Sequence, residues 1–167
     1  MLIWLMIIAG TVFLDQLTKW LTVMNLDLHE TFPLIENVFH FTYVRNTGAA
    51  FSILSDERWF LIGITAIVML ALMAFVLFGQ FRRYKLFNIS ATLILSGGIG
   101  NLIDRLVQGY VVDFIKTTFM DFPIFNVADC FVVVGSVLLL IFFCFVYEDK
   151  APSEATNEQA TDDSSGS

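Results

Sequence analysis

The sequence has few charged side chains: they make up 15% of its 167 residues, against 57% hydrophobic residues. Soluble domains carry about a quarter charged residues, so this scarcity excludes an ordinary soluble protein and indicates a membrane protein. Cations are scarcer still, with nine Lys and Arg against sixteen acids. The sequence therefore offers no basic face for a nucleic acid.

Histidines and cysteines are also rare. His29 and His40 are the two histidines of the sequence, and they do not have the spacing of metal ligands. The H-E-x-x-H motif of zinc proteases, the G-x-S-x-G motif of serine hydrolases and the phosphate loop of nucleotide-binding enzymes are all missing from the sequence. We therefore expect none of these three classes of enzyme. Cys130 and Cys144 would lie about 21 Å apart on one helix, so they are predicted to be free thiols.

Long apolar runs dominate what is present. Four of them approach the ~20 residues that a helix needs to cross a bilayer. They are Met1–Met24, Trp59–Gly79, Leu86–Ile103 and Asn126–Tyr147. The sequence thus predicts an all-α integral membrane protein with four transmembrane helices and both termini on one side. We expect the first helix to remain as an anchor, because no basic n-region or small-residue cleavage site accompanies it.

The orientation follows from the loop "QFRRYK" (Gln80–Lys85), which holds three cations and no acid. Such loops are typically cytoplasmic, which places both termini in the cytoplasm and the loops Asn25–Arg58 and Leu106–Phe125 outside. Residues 148–167 hold six acids and one lysine, hence five of the seven net negative charges. We predict a membrane domain over residues 1–147 and an acidic, disordered cytoplasmic tail over residues 148–167.

The outer loops carry β-structure signals. Val38–Val44 alternates aromatic with other side chains, as a strand does, and Asn46-Thr47-Gly48 follows as a turn signal. We therefore expect a small extracytoplasmic sheet, with Gly109–Ile115 as a second strand or an interfacial helix. In the third span, "SGGIGN" (Ser96–Asn101) has small residues spaced for close helix packing.

The polar residues of the spans collect at their outward ends, and most have a structural explanation. Asp15 and Lys19 lie four residues apart on one helix face and could form an ion pair. Asp104 and Arg105 could pair at the interface. Asn126 and Asp129 match an N-cap and its third-position acid. Asn101 needs a partner, since an unpaired amide is costly at membrane depth.

Asp113 has no such explanation, because it lies within the apolar run "VVDFI". Two carboxyls that share a site hold one proton between them, and such a pair can activate a water and a carbonyl together. Asp113 and Asp129, both near the outer boundary, are the candidate pair. A transporter or proton channel is the alternative, since intramembrane acids also relay protons, and a structural scaffold is the third possibility.

Five blocks in order carry a resemblance: "DQLTK" (Asp15–Lys19), "RNTGAAF" (Arg45–Phe51), "GGIGNLIDR" (Gly97–Arg105), "VVDF" (Val111–Phe114) and "FNVAD" (Phe125–Asp129). Over residues 1–147 the sequence resembles the bacterial lipoprotein signal peptidase (signal peptidase II) family. The resemblance implies an aspartic peptidase of the inner membrane that needs no cofactor or metal. It would cut diacylglyceryl-modified prolipoproteins before the lipidated cysteine, among membrane lipids and without an obligate protein partner.

The resemblance also implies roles for individual residues. The catalytic aspartates match Asp113 and Asp129, and which of them acts first as the base is left open, because the protons belong to the pair. The supporting or substrate-binding candidates in the same blocks are Asp15, Lys19, Asn46, Gly48, Asn101, Asp104, Arg105, Asn126 and Ala128. The implied fold is four membrane helices with a small outer sheet and a mobile outer helix.

Overall fold

A computed structural model describes residues 2–48 and 57–147, which contain four apolar helices and one three-stranded sheet. In chain order the elements are α1 (Leu2–Asn25), β1 (Thr31–Ile35), β2 (Phe39–Asn46), α2 (Arg58–Phe78), α3 (Lys85–Val107), β3 (Val111–Thr117) and α4 (Val127–Ile141). A 3-10 turn, Gln80–Arg83, connects α2 to α3, and a π-helical turn, Phe142–Val146, continues α4. All four predicted spans are confirmed as helices long and apolar enough to cross a membrane.

Helix α3 is the centre of the bundle, and it contacts α1, α2 and α4. Small residues allow this close approach. A Cβ at Gly97 would collide with the carbonyl oxygen of Ala128 in α4, and one at Gly100 would lie 3.2 Å from the Asp15 carboxyl carbon in α1. The predicted role of "SGGIGN" in close helix packing is therefore confirmed.

The sheet has the order β1-β2-β3, and both strand pairs are antiparallel. Strand β2 confirms the strand predicted over 38–44, and β3 decides the open choice for 109–115 in favour of a strand. Strand β1 was not predicted, since its residues are all exposed and it contains Pro33. Tyr43, Val112 and Phe114 form the buried core between the sheet and the bundle.

The other end of the bundle is aromatic. Tyr84, Phe87, Ala91 and Phe142 are buried there, and the Phe142 ring centroid lies 5.2 Å from that of Tyr84 and 5.6 Å from that of Phe87. The π-helical turn begins at Phe142. Side-chain packing of this kind is what holds helices together in lipid, where burial of apolar surface gives little driving force.

Several expectations fall on residues outside the described ranges. The acidic tail, 148–167, is one of them, and the end of the "RNTGAAF" block, 49–51, is another. The outer helix implied by the resemblance does not occur within residues 108–125, where β3 and an irregular segment follow α3, while residues 49–56 lie outside the described part. The turn predicted at Asn46-Thr47-Gly48 is present, because the Gly48 N–H donates to Asn46 Oδ1 at 2.9 Å.

Candidate active site

The N-terminus of α4 fixes the position of Asp129. The Asp129 backbone N–H donates to Asn126 Oδ1 at 3.0 Å, and the Asn126 N–H donates back to Asp129 Oδ2 at 3.1 Å. This reciprocal arrangement is a capping box, as the spacing predicts. The Asp129 carboxyl is thereby held in the first turn of the helix, where the helix dipole favours negative charge.

Strand β3 places Asp113 beside this helix start. Its side chain is 3% exposed and accepts two hydrogen bonds, from Asn126 Nδ2 at 2.6 Å and from Asn46 Nδ2 at 2.8 Å. Burial raises the pKa of Asp113 to about 7. The hydrogen bonds from Asn46 and Asn126 oppose this rise, and the nearby Asp129 carboxylate adds to it.

Asn101 of α3 connects the two carboxyls. Its Nδ2 donates to Asp129 Oδ1 at 2.8 Å, while its Oδ1 accepts from Asn126 Nδ2 at 3.1 Å. Because Asn126 Nδ2 also binds Asp113, a continuous chain of hydrogen bonds runs from Asp113 through two amides to Asp129. The partner that Asn101 requires at this depth is therefore present.

Three asparagines surround the carboxyls, and the direction of each amide is fixed in the same way. A group that can only donate holds each Oδ1, so each Nδ2 must turn toward a carboxyl or a neighbouring amide oxygen. The donors are the Gly48 N–H for Asn46, the Lys19 ammonium for Asn101 at 2.9 Å and the Asp129 N–H for Asn126. The amide donors are thus aimed at the carboxyls in the folded protein.

A buried ion cluster lies behind the carboxyls. Lys19 Nζ lies 2.8 Å from Asp15 Oδ2 and 3.0 Å from Asp104 Oδ2, and all three side chains are at most 3% exposed. The carboxylates also bind backbone amides, since Ala128 N–H donates to Asp15 Oδ1 and Val112 N–H donates to Asp104 Oδ2. The cluster therefore ties α1 and α3 to the start of α4 and to β3.

Two details of the cluster differ from the sequence analysis. The Asp15–Lys19 pair is present, but Asp104 also pairs with Lys19, whereas Arg105 donates to the Gly48 carbonyl oxygen at 2.8 Å. Gln16 was missed: its Nε2 binds Asp104 Oδ1 at 2.9 Å and the Gly100 carbonyl oxygen at 3.2 Å. An amide next to a charged residue within a membrane span was the signal that could have identified it.

A cavity of about 510 Å³ opens beside both carboxyls. Its polar lining comes from Asn46, Asn101, Arg105, Asp113 and Asp129, and its apolar lining runs along Phe122–Phe125 and the first two turns of α4 as far as Val134. The other predicted residues lie behind this lining. Asp15, Lys19 and Asp104 form the ion cluster, and Gly48, Asn126 and Ala128 supply hydrogen bonds. The cavity can hold an extended, mostly apolar ligand against two carboxyls, and we call it the dyad cavity.

Comparison with known proteins identifies the family of the chain. The family model described as Signal peptidase (SPase) II matches residues 7–145. A lipoprotein signal peptidase of Brevibacillus brevis is 43% identical to this chain, over 83% of this chain and 93% of its own length. A lipoprotein signal peptidase of Enterococcus faecalis is 40% identical, over 94% of this chain and 96% of its own length. Two solved structures described as bacterial membrane enzymes superpose with TM-scores of 0.80 and 0.77. The first is 34% identical in sequence and its match covers 90% of this chain, and the second is 36% identical and covers 85%. Each match covers 92% of the other protein's chain. This multi-pass bacterial membrane protein belongs to the signal peptidase II family of aspartic peptidases.

Proposed function

We propose that Asp113 and Asp129 are the catalytic dyad with which this signal peptidase II removes the signal peptide from diacylglyceryl-modified prolipoproteins, cutting before the lipidated cysteine. One observation carries the assignment: both carboxyls line a single cavity and are joined through the amides of Asn126 and Asn101. The names of the relatives, lipoprotein signal peptidases, support the class of substrate.

The two carboxyls share one proton, and we assign it to Asp113. Asp113 is the more deeply buried of the two, and its pKa of about 7 leaves a large share of it protonated near neutral pH, where an ordinary carboxyl has lost its proton. Asp129 suits the role of the base, because it lies at the start of α4 and accepts two hydrogen bonds, and both features favour negative charge there. Asp129 is therefore the base and Asp113 is the acid.

The reaction needs no covalent intermediate. Asp129 takes a proton from the attacking water while Asp113 gives its proton to the oxygen of the scissile carbonyl. The tetrahedral intermediate then collapses, the carbon–nitrogen bond breaks, and the proton on Asp129 passes to the leaving amine of the cysteine. As the carbonyl forms again on the signal peptide, its oxygen returns to Asp113 the proton that Asp113 had donated. The dyad ends with the one proton that it held at the start.

The other residues position this chemistry. Asn46, Asn101 and Asn126 hold the carboxyls in place, and Gly48 and Ala128 contribute through their backbone. Arg105 lines the cavity, and its buried Nε makes no hydrogen bond within the described residues. We assign to Arg105 a contact with substrate carbonyl oxygens. The ion cluster of Asp15, Lys19 and Asp104 keeps the helices in register beneath the dyad.

The placement in the membrane is part of the proposal. The cations of the Gln80–Lys85 loop favour the cytoplasm for the end of the bundle at which that loop lies. The termini are then cytoplasmic, the sheet is extracytoplasmic, and the dyad lies near the outer leaflet of the inner membrane. A peptide anchored in that leaflet by its signal sequence and its acyl chains reaches the dyad cavity sideways. Residues 148–167 form the acidic tail outside the peptidase domain.

A proton channel or transporter, the alternative class, requires polar groups across the whole bilayer. Within the described part of the chain, the buried charged side chains Asp15, Lys19, Asp104 and Asp113 all lie at the sheet end of the bundle. The opposite end is filled by the Phe142 cluster. This distribution supports the peptidase.

The test uses purified wild type, Asp113→Asn and Asp129→Asn with a diacylglyceryl-modified precursor. Each variant should lose at least about a thousandfold in kcat, while it remains folded and still binds the precursor. The amide introduced by Asp129→Asn keeps a side-chain oxygen that can accept the Asn126 N–H, so the helix cap survives in that variant. Near-normal cleavage by either variant would refute the dyad.

A further inference from the structure

A second cavity, also of about 510 Å³, adjoins the dyad cavity at Asp113. It shares Asn46, Asp113 and the segment 122–124 with the dyad cavity. Its remaining lining is different in character, because it comes from the end of β2, from Lys116 of β3 and from Asp121. We call it the sheet cavity. The two cavities thus meet at one of the two proposed catalytic carboxyls.

The sheet cavity is polar. Its charged lining consists of Arg45, Lys116, Asp121 and Asp113, and the last of these is the dyad carboxyl at which the two cavities meet. Arg45 is exposed yet fixed in place, because Nε lies 2.9 Å from the Tyr43 hydroxyl and the guanidinium stacks 4.9 Å from the Tyr110 ring centroid. Away from the dyad, the charged lining is therefore two cations, Arg45 and Lys116, and one acid, Asp121.

The dyad cavity has the opposite character. Beyond the carboxyls, it continues along Cys130, Val132, Val133 and Val134, which lie further than Asp129 from the start of α4. A peptide cut at the dyad must extend in two directions from Asp113. The half within the membrane fits the apolar cavity, and the half that emerges into water fits the polar one.

We propose that the sheet cavity binds the first residues after the lipidated cysteine, and that Arg45 and Lys116 make it select acidic over basic side chains there. This inference rests on the proposed function, because it assigns a subsite to the same scissile bond. The sheet cavity gives a peptide at Asp113 a polar path toward water, and its charge predicts the sign of the preference.

The experiment measures kcat/KM for three diacylglyceryl-modified peptides that differ only in the two residues after the cysteine, which are Asp-Asp, Ser-Ser or Lys-Lys. For wild type we expect Asp-Asp to exceed Lys-Lys by roughly three- to tenfold, as for solvent-exposed charge pairs. The ratio should shrink at high salt, because these charges are screened. The double variant Arg45→Glu/Lys116→Glu should reverse the preference.

Two further variants serve as controls for this experiment. Lys116→Glu alone leaves the Arg45 stack on the tyrosines intact and should lower the Asp-Asp to Lys-Lys ratio part of the way. Glu36→Lys makes an equally large charge change on an exposed residue of the β1–β2 turn, away from both cavities, and should leave the ratio unchanged. Because the ratio is taken within one variant, a loss of folded enzyme cancels.

The proposal is overturned if the three peptides are cleaved equally by wild type. It is also overturned if the double variant slows all three peptides by one common factor, which would make the sheet cavity a route for water or a support of the sheet. Either result would leave the dyad standing, since cleavage itself would continue. Loss of the dyad assignment would show instead in an active Asp113→Asn enzyme.

Discussion

The two ends of the helical bundle are built on different principles. At the sheet end, three buried charges, three oriented asparagines and Gln16 form a hydrogen-bonded network that spans α1, α3, β3 and α4. At the opposite end, α2, α3 and the end of α4 are joined by aromatic and aliphatic side chains around Phe142, with no buried charge in the described residues. Both ends are well packed, so packing alone does not explain the polar one.

The difference indicates which end of the bundle is more sensitive to substitution. A buried ion pair adds little net stability over a well-packed apolar contact, but loss of one partner is severe. An aromatic contact can be trimmed with a local loss. The network is therefore best explained by the geometry that it imposes on Asp113 and Asp129. Substitutions at the sheet end should change stability and catalysis together, and those at the Phe142 end should change stability alone.

The largest expected effect comes from Lys19→Met. It leaves the carboxylates of Asp15 and Asp104 without their cation and frees the Asn101 amide to turn its Nδ2 away from Asp129. We expect a loss of about 3–5 kcal/mol in the free energy of unfolding and a fall in kcat per folded molecule. Denaturant unfolding in detergent together with single-turnover cleavage measures both.

The matched control is Lys85→Met, which removes an exposed cation at the opposite end. It should leave stability and kcat unchanged. A Lys19→Met enzyme as stable and as active as wild type would contradict the distinction between the two ends.

Asp113 underlies the next effect, a dependence of stability on pH that the aromatic end cannot produce. Its pKa rises from 3.8 to about 7 on folding, so between these values the folded chain binds a proton that the unfolded chain has released. The contribution of Asp113 to stability then falls as pH rises from about 4 to about 7, by on the order of 3–4 kcal/mol. Cleavage should also decline above about pH 7, as Asp113 loses the proton that it donates.

Unfolding midpoints of wild type and Asp113→Asn across this pH range measure the slope. The variant should lose it, and Asp27→Asn, which changes an exposed carboxyl, should follow the wild-type curve. If wild type and Asp113→Asn gave parallel curves, Asp113 would not hold the proton at neutral pH.

Phe142→Ala should have the smallest effect of the three, and on stability only. Phe142 is fully buried and packs on Phe81, Tyr84 and Phe87. Truncation to alanine leaves a cavity and should lower the free energy of unfolding by about 2 kcal/mol. The loss is smaller than in the core of a soluble protein, because the helices remain in lipid when they dissociate. Activity at a permissive temperature, normalised to folded protein, should equal that of wild type. A specific loss of kcat would break the comparison.

Much of the fold could be predicted from sequence because its signals are local. Apolar length identified the four helices, alternation identified β2, and the spacing of Asn126 and Asp129 identified the helix cap. Strand β1 gave no such signal, since all five of its residues are exposed and Pro33 interrupts it, so no alternation of apolar and polar residues marks a buried face.

The connections of the site could not be predicted in the same way. Lys19 bonds to Asn101, 82 residues away, and Gln16 bonds to Asp104, 88 residues away. Such contacts depend on how far α1 and α3 rotate toward each other, which the glycines of α3 permit but do not specify. The sequence could show that these residues needed partners, and the folded bundle decides which partners they have.

The central claim is that Asp113 and Asp129 act as one unit on one water molecule. It is tested most directly by kcat for Asp113→Asn, Asp129→Asn and the double variant on one lipid-modified precursor. Substitutions of groups that act as a unit have strongly non-additive effects on kcat. We therefore predict that the double variant is no slower than the slower of the two single variants. Losses that multiply, with the double variant slower by the product of the two single effects, would contradict the account.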